Sequence, residues 1–143
     1  MSTSTSNSRR AAVGIAVLRV VVGIVFFMHG WMKLFVMGID GVTGFFSQLG
    51  IPFPHIAAPF VSALELGGGA LLILGVLSRG IAALLAFDMF VAIVVARIRG
   101  GFFVPDGYEL ELTLMAACVA LALAGPGAFS LDRKLFRWRD RTP

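Results

Sequence analysis

A single arginine set inside an apolar stretch constrains this chain more than any other feature. Residues 18–34 read LRVVVGIVFFMHGWMKL, an apolar membrane-spanning run with Arg19 near its start and His29, Trp31 and Lys33 at its far end. A cation in hydrocarbon costs about 2.5–3.5 kcal/mol on insertion scales, so the fold must supply Arg19 with partners. At helical spacing Arg19, Gly23, Phe26, Gly30 and Lys33 share one face. Glycines on such a face let a second helix approach closely. That face is predicted to be the centre of the molecule.

The later apolar segments each carry a carboxylate that could answer the arginine: Glu65, Asp88, and Glu109 with Glu111. The chain is 58% hydrophobic and 14% charged, with a mean hydropathy of +0.92. A water-soluble domain of 143 residues cannot bury that much apolar surface, so part of the solvent is lipid. Cys118 is the only cysteine, which leaves no internal disulfide and no CxxC or zinc cluster. The basic tail Arg133, Lys134, Arg137, Arg139 and Arg141 is read as a membrane-surface anchor, with no nucleic acid as partner.

In chain order, residues 1–10 are expected to be a disordered polar tail ending in Arg9-Arg10. A retained first span follows over about residues 11–30, because Arg19 breaks the hydrophobic region of a cleavable signal. Residues 31–54, rich in glycine and phenylalanine, are expected to lie along the membrane interface with a short helix from Val42 to Leu49. Further spans are predicted at about 55–77, 81–97 and 108–125. Ser78-Arg79-Gly80 is read as the turn between the second and third, and residues 128–143 as a basic cytoplasmic tail. The whole is an all-α membrane protein, a four-transmembrane-helix antiparallel bundle with an interfacial first loop. Arg9, Arg10, Arg79 and the tail put eight Lys or Arg on one side, against Lys33, Arg97 and Arg99 on the other. The positive-inside rule therefore places both termini in the cytoplasm.

Counted at about 1.5 Å per residue, Arg19, Glu65 and Asp88 all reach the middle third of a roughly 30 Å core. They are expected to form a buried polar core in which Arg19 pairs with Glu65, Asp88 being the other possible partner. One arginine cannot neutralise two carboxylates. The remaining one, placed on Asp88, must be uncharged, face water or pair with something outside the chain. His29, Lys33, Arg97, Arg99, Glu109 and Glu111 form a second cluster at the outer end, either ordinary rim ion pairs or an outward-facing ligand pocket. His29 and His55, both near the outer surface, do not suit haem. Gly67-Gly68-Gly69 lacks the following Lys-Ser/Thr of a nucleotide loop.

These pieces resemble the DoxX family of small four-span membrane proteins. The likeness is carried by LRVVVGIVFFMHGWMKL, the IPFP connection, Glu65-x-Gly67-Gly68, Gly75-Val-Leu-Ser-Arg79, Gly101-Phe102-Phe103, Gly107-Tyr108-Glu109, and Gly125-Pro126-Gly127 with Ser130-Leu131-Asp132. The resemblance implies a four-helix membrane bundle in a bacterial or archaeal cytoplasmic (inner) membrane. It also implies a link to quinones, since some members are similar to subunits of thiosulfate:quinone oxidoreductase and others accompany redox-stress enzymes. The expectation is a membrane subunit of a quinone-linked oxidoreductase, with no cofactor or metal held by the chain itself and no catalytic motif of its own. Quinone, partner subunits and a homo-oligomer are the possible associates. The alternative is a non-enzymatic scaffold or small transporter.

Overall fold

The computed structural model describes residues 3–103 and 105–133. The tail residues Lys134, Arg137, Arg139 and Arg141 lie outside them. Among the described residues every regular element is helical. Helix α1 spans Thr3–Trp31 and runs on without a break into a π-helical stretch, Met32–Met37. The chain bends at Gly38, whose φ of 72° suits a residue without a Cβ, and continues as α2, Gly38–Gln48. Helix α3 covers Pro54–Leu74 and α4 covers Ser78–Ala92. After α4 come a π-helical stretch, Ile93–Arg97, and a 3₁₀ turn, Ile98–Gly100. Helix α5 spans Glu109–Ala124.

Several boundaries differ from the sequence expectations. The first helix reaches back to Thr3 through residues expected to be a tail, since no glycine or proline interrupts the chain before Gly14. It also extends past residue 30, which places Lys33 on helix, where a loop was expected. The turn before α4 is Gly75-Val76-Leu77, three residues earlier than expected. There Gly75, at φ 71°, closes α3 with paired bonds from Gly75 N to Leu72 O and from Val76 N to Leu71 O. The short helix expected between the first two spans is α2, longer than predicted and seated on α3 through Val42, Phe46 and Ala58.

Among the described residues, three helical segments are long and apolar enough to cross a membrane: 6–48, 54–74 and 78–100. Helix α5 has 16 residues, about 24 Å at 1.5 Å each, and packs along α4 and against α1. The main core joins Val22 and Phe26 of α1, Leu72 of α3, Leu85 and Met89 of α4, and Leu114, Cys118 and Leu121 of α5. Large apolar side chains cover the outside as well, among them Val17, Val21, Met28, Phe60, Phe87 and Leu123. A lipid solvent accepts such an exterior, whereas water does not.

The glycine face of α1 does what its spacing predicted. A Cβ on Gly23 would lie 2.8 Å from the Gly69 carbonyl oxygen of α3, and one on Gly30 would strike the Leu66 backbone. Gly68 and Gly69 serve different neighbours, Gly68 meeting Ile81 and Leu85 of α4 and Gly69 meeting Phe27 of α1. Gly68 and Gly69 therefore let α3 press against two helices at once.

Candidate ligand cavity

Arg19 is 1% exposed, and its partners differ from the expected ones. Its Nη1 donates to the Pro126 carbonyl and its Nη2 to the Phe129 carbonyl at 3.2 Å. Both acceptors belong to the loop after α5, which folds back under the helices. Ala128 N bonds Ala12 O at 2.8 Å, and Asp132 N bonds Gly75 O at 2.9 Å. The Asp132 carboxylate accepts the N–H groups of Leu77 (2.8 Å) and Ser78 (2.9 Å), capping the start of α4 from across the chain. Leu77 and Phe129 hold positive φ values of 50° and 52°. Each is fixed in this unfavourable geometry by one of these contacts. The predicted Arg19–Glu65 pair is thus replaced by a cation held by backbone carbonyls, which carry partial negative charge without the desolvation cost of a second ion.

Glu65 is paired with Lys33, Nζ to Oε2 at 2.6 Å, its side chain 3% exposed. Asp88 lies within hydrogen-bonding reach of Glu65, and Lys33 is close to both. These three residues come from α1's π-helical extension, α3 and α4. They line a cavity of about 390 Å³ together with His29, Arg97 and Glu111. Its walls are apolar, with Phe26, Phe45, Phe46 and Met89 prominent, and α2 lies across it. Arg97 donates through Nε to Glu111 Oε1 at 3.0 Å and through Nη1 to Pro105 O at 3.1 Å, which ties the loop after α4 to the cavity rim. Asp88 Oδ2 and Glu111 Oε2 are buried without a hydrogen-bond partner among the described residues.

The two expected groups therefore redistribute. Glu65 and Asp88 of the core join His29, Lys33, Arg97 and Glu111 of the outer cluster in one cavity. Arg19 stands apart, near the middle of α1 and outside the cavity lining. Arg99 is exposed, and Glu109 is half-buried near it in sequence, both outside the cavity lining. Cys118 is buried in the core. No grouping of three or more His, Cys, Asp or Glu suited to a metal ion occurs among the described residues.

The DoxX family pattern matches residues 14–98. The chain belongs to the DoxX family. Its relatives include the putative oxidoreductase CatD of Bacillus subtilis, 32% identical over 125 residues covering 87% of this chain and 89% of the relative. The uncharacterized membrane protein Rv3486 of Mycobacterium tuberculosis is 33% identical, covering 82% of this chain and 78% of its own. The inner membrane protein YphA of Escherichia coli is 30% identical, covering 82% and 87%. No solved structure matches the chain. The protein is a membrane protein, and the part of it matched by the DoxX pattern contains Arg19, Lys33, Glu65, Asp88 and Arg97, whereas Glu111 lies beyond that stretch.

Two features of this DoxX chain escaped sequence reasoning. Carbonyl partners for Arg19 leave no mark in a sequence, since every residue has a carbonyl. Helical spacing puts Lys33 on the face of Arg19 and Gly30, but a first span ending at residue 30 leaves it with the outer cluster. The continuation through Met32–Met37 is what carries that face as far as Lys33.

Proposed function

We propose that the protein is a four-span inner-membrane subunit of a quinone-linked oxidoreductase system, in which the cavity takes the quinone headgroup. One observation supports this most. Six ionisable side chains from four separate segments converge on one apolar-walled cavity inside the membrane-spanning region. Its volume of about 390 Å³ falls within the range of roughly 300–1,000 Å³ common to small-molecule sites. Ionisable groups at such depth mark substrate or proton pathways in membrane proteins.

The residues present suit a quinone substrate. Phe26, Phe45, Phe46 and the methionines offer flat or pliable apolar surface for the ring and tail. His29, Lys33 and Arg97 carry N–H donors for the two carbonyls. Quinone reduction takes up two electrons and two protons. Glu65 and Asp88, sharing a proton between adjacent carboxyls, would give one proton and recover it from water, the second proton coming from water directly. The electrons would come from a partner redox enzyme. Helix α5 is the fourth span in this reading, and the basic residues Arg9, Arg10 and Arg79 support cytoplasmic termini by the positive-inside rule.

The test is equilibrium binding of decylubiquinone to the full-length protein in neutral detergent, together with extraction and mass spectrometry of copurified quinone. Saturable binding lost in Lys33→Met and weakened in Asp88→Asn is the expected result. Absence of both binding and copurified quinone would defeat the proposal and leave a scaffold or transporter role. Topology is tested separately, with single cysteines at Ser4 and Ser47 in a Cys118→Ser background. They should label from opposite faces of the membrane.

A further inference from the structure

The loop that holds Arg19 builds a second feature on its outer side. A groove of about 920 Å³ runs between the start of α4 and the chain after α5, lined by Leu77, Arg79, Ile81, Leu84, Pro126 and Arg133 among others. Its chemistry is divided along its length. Arg79 and Arg133 stand exposed at one end, and Ile81 and Leu84 extend along the helix at the other. Asp132 also lines the groove, but its two oxygens accept the Leu77 and Ser78 N–H groups. Its charge is therefore engaged by the chain, while Arg79 and Arg133 are exposed. Arg79 is oriented by a bond from Nη2 to the Leu123 carbonyl at 3.2 Å. Ser78, 1% exposed, lines the same groove, and its buried Oγ has no hydrogen-bond partner among the described residues.

The surroundings fix the depth of this groove. Leu77 is 67% exposed and Phe129 is 85% exposed. Large apolar groups displayed beside two cations belong at the boundary between headgroups and acyl chains.

We propose that this groove is a binding site for an anionic phospholipid, its phosphate held between Arg79 and Arg133 and an acyl chain laid along Ile81 and Leu84. Charge complementarity selects the occupant. A zwitterionic lipid brings a choline or ethanolamine cation to two guanidiniums, whereas phosphatidylglycerol brings only negative charge. Arginine suits the task because its planar fork can hold two phosphate oxygens together. Basic pockets between membrane helices commonly recognise lipid headgroups in this way. The occupant would bridge α4 to the loop after α5, adding a tie outside the Asp132 cap.

The experiment is native mass spectrometry of the full-length protein in neutral detergent, titrated in parallel with phosphatidylglycerol and phosphatidylcholine of equal chain length. The expected result is at least tenfold greater retention of phosphatidylglycerol. That preference should fall to near parity in Arg79→Gln with Arg133→Gln, and should survive Arg79→Lys in part. Arg79 also bonds Leu123, so Arg133→Gln alone serves as a variant with its fold intact and should lose part of the preference. Equal retention of the two lipids by the unaltered protein would overturn the proposal. So would a preference untouched by the double substitution. Displacement of the lipid by millimolar inorganic phosphate would show that the site reads a free anion, and would overturn the commitment to lipid.

Discussion

Arg19 and Lys33 lie on the same face of one continuous helical rod, and the molecule treats their charges in opposite ways. At the Arg19 end the cation meets neutral backbone carbonyls from a loop folded tightly beneath the helices. At the Lys33 end the cation meets a carboxylate, a second carboxylate adjoins the first, and an apolar cavity opens beside them. The first arrangement ties Nη1 and Nη2 each to a carbonyl and leaves Nε buried without a partner among the described residues, while Asp132 pins the loop. The second opens onto a cavity, with buried oxygens of Asp88 and Glu111 accepting no hydrogen bond among the described residues. A fold needs only the first kind of solution to tolerate a charge in lipid. Carrying the second as well imposes a desolvation cost that structure alone does not require. The contrast suits the Arg19 end to stability and, under the proposed function, the Lys33 end to chemistry.

The largest test of that division is Arg19→Leu. It orphans two carbonyls and releases a loop whose Phe129 is held at a positive φ, so the expected loss is about 3–5 kcal/mol, comparable to removing one member of a buried charge pair. Cys118, buried in the core, reports unfolding directly through a thiol-reactive dye during a thermal ramp in detergent. Adding Glu65→Leu to Arg19→Leu should deepen the loss. If it restored the melting point, Arg19 and Glu65 would be partners after all. Next in size is Lys33→Met, which strands a nearly buried Glu65 at an expected loss of about 2–3 kcal/mol. The double variant Lys33→Met with Glu65→Gln should recover most of it in the same melt. A double variant no better than the single would mean that Lys33 contributes packing alone.

Smaller again is Asp132→Ala, which removes the cap on Leu77 and Ser78 at an expected loss of about 1–2 kcal/mol, typical of a lost helix cap. Hydrogen exchange should locate the change at residues 75–80, and a change spread evenly over α4 would contradict it. The smallest effect on stability belongs to Asp88→Asn, which keeps volume and one acceptor oxygen. Its melt should shift by less than about 0.5 kcal/mol, while decylubiquinone binding weakens, because losing the ionisable carboxyl beside Glu65 changes the charge that faces Lys33, a donor to the headgroup in this reading. A large stability loss without a binding change would reverse the division drawn here.

How much of this was written in the sequence varies along the chain. The face of Arg19, Gly23, Phe26, Gly30 and Lys33 followed from 3.6-residue spacing, and the structure buries Arg19, Gly23, Phe26 and Gly30 against α3 and the core. The hydrophobic segments were equally plain, because lipid permits runs that water would forbid. Ion-pair partners were harder. Opposite charges attract in any arrangement, and depth counting offered Arg19 two carboxylates at similar heights with nothing to choose between them. What excluded both was a loop whose shape depends on Gly125, Pro126 and Gly127 and on the cap made by Asp132. The merging of two polar groups into one cavity depended on the π-helical continuation, which moves Lys33 from the rim into the site. Local propensity does not announce such a continuation, since Met32–Met37 would be equally apolar in an interfacial loop.

The anchoring of Arg19 also sets a timetable. The carbonyls that receive it lie 107 and 110 residues further along the chain. At a synthesis rate of roughly 5–20 residues per second, the first helix enters the membrane about 5–20 s before its arginine can meet either of them. For that interval Arg19 must be hydrated, held by lipid phosphates or sheltered by the insertion machinery. A nascent chain that stops before Pro126 never leaves that state. The loop at residues 125–130 is thus the one that lets the first helix settle, and its synthesis is coupled to burial of Arg19.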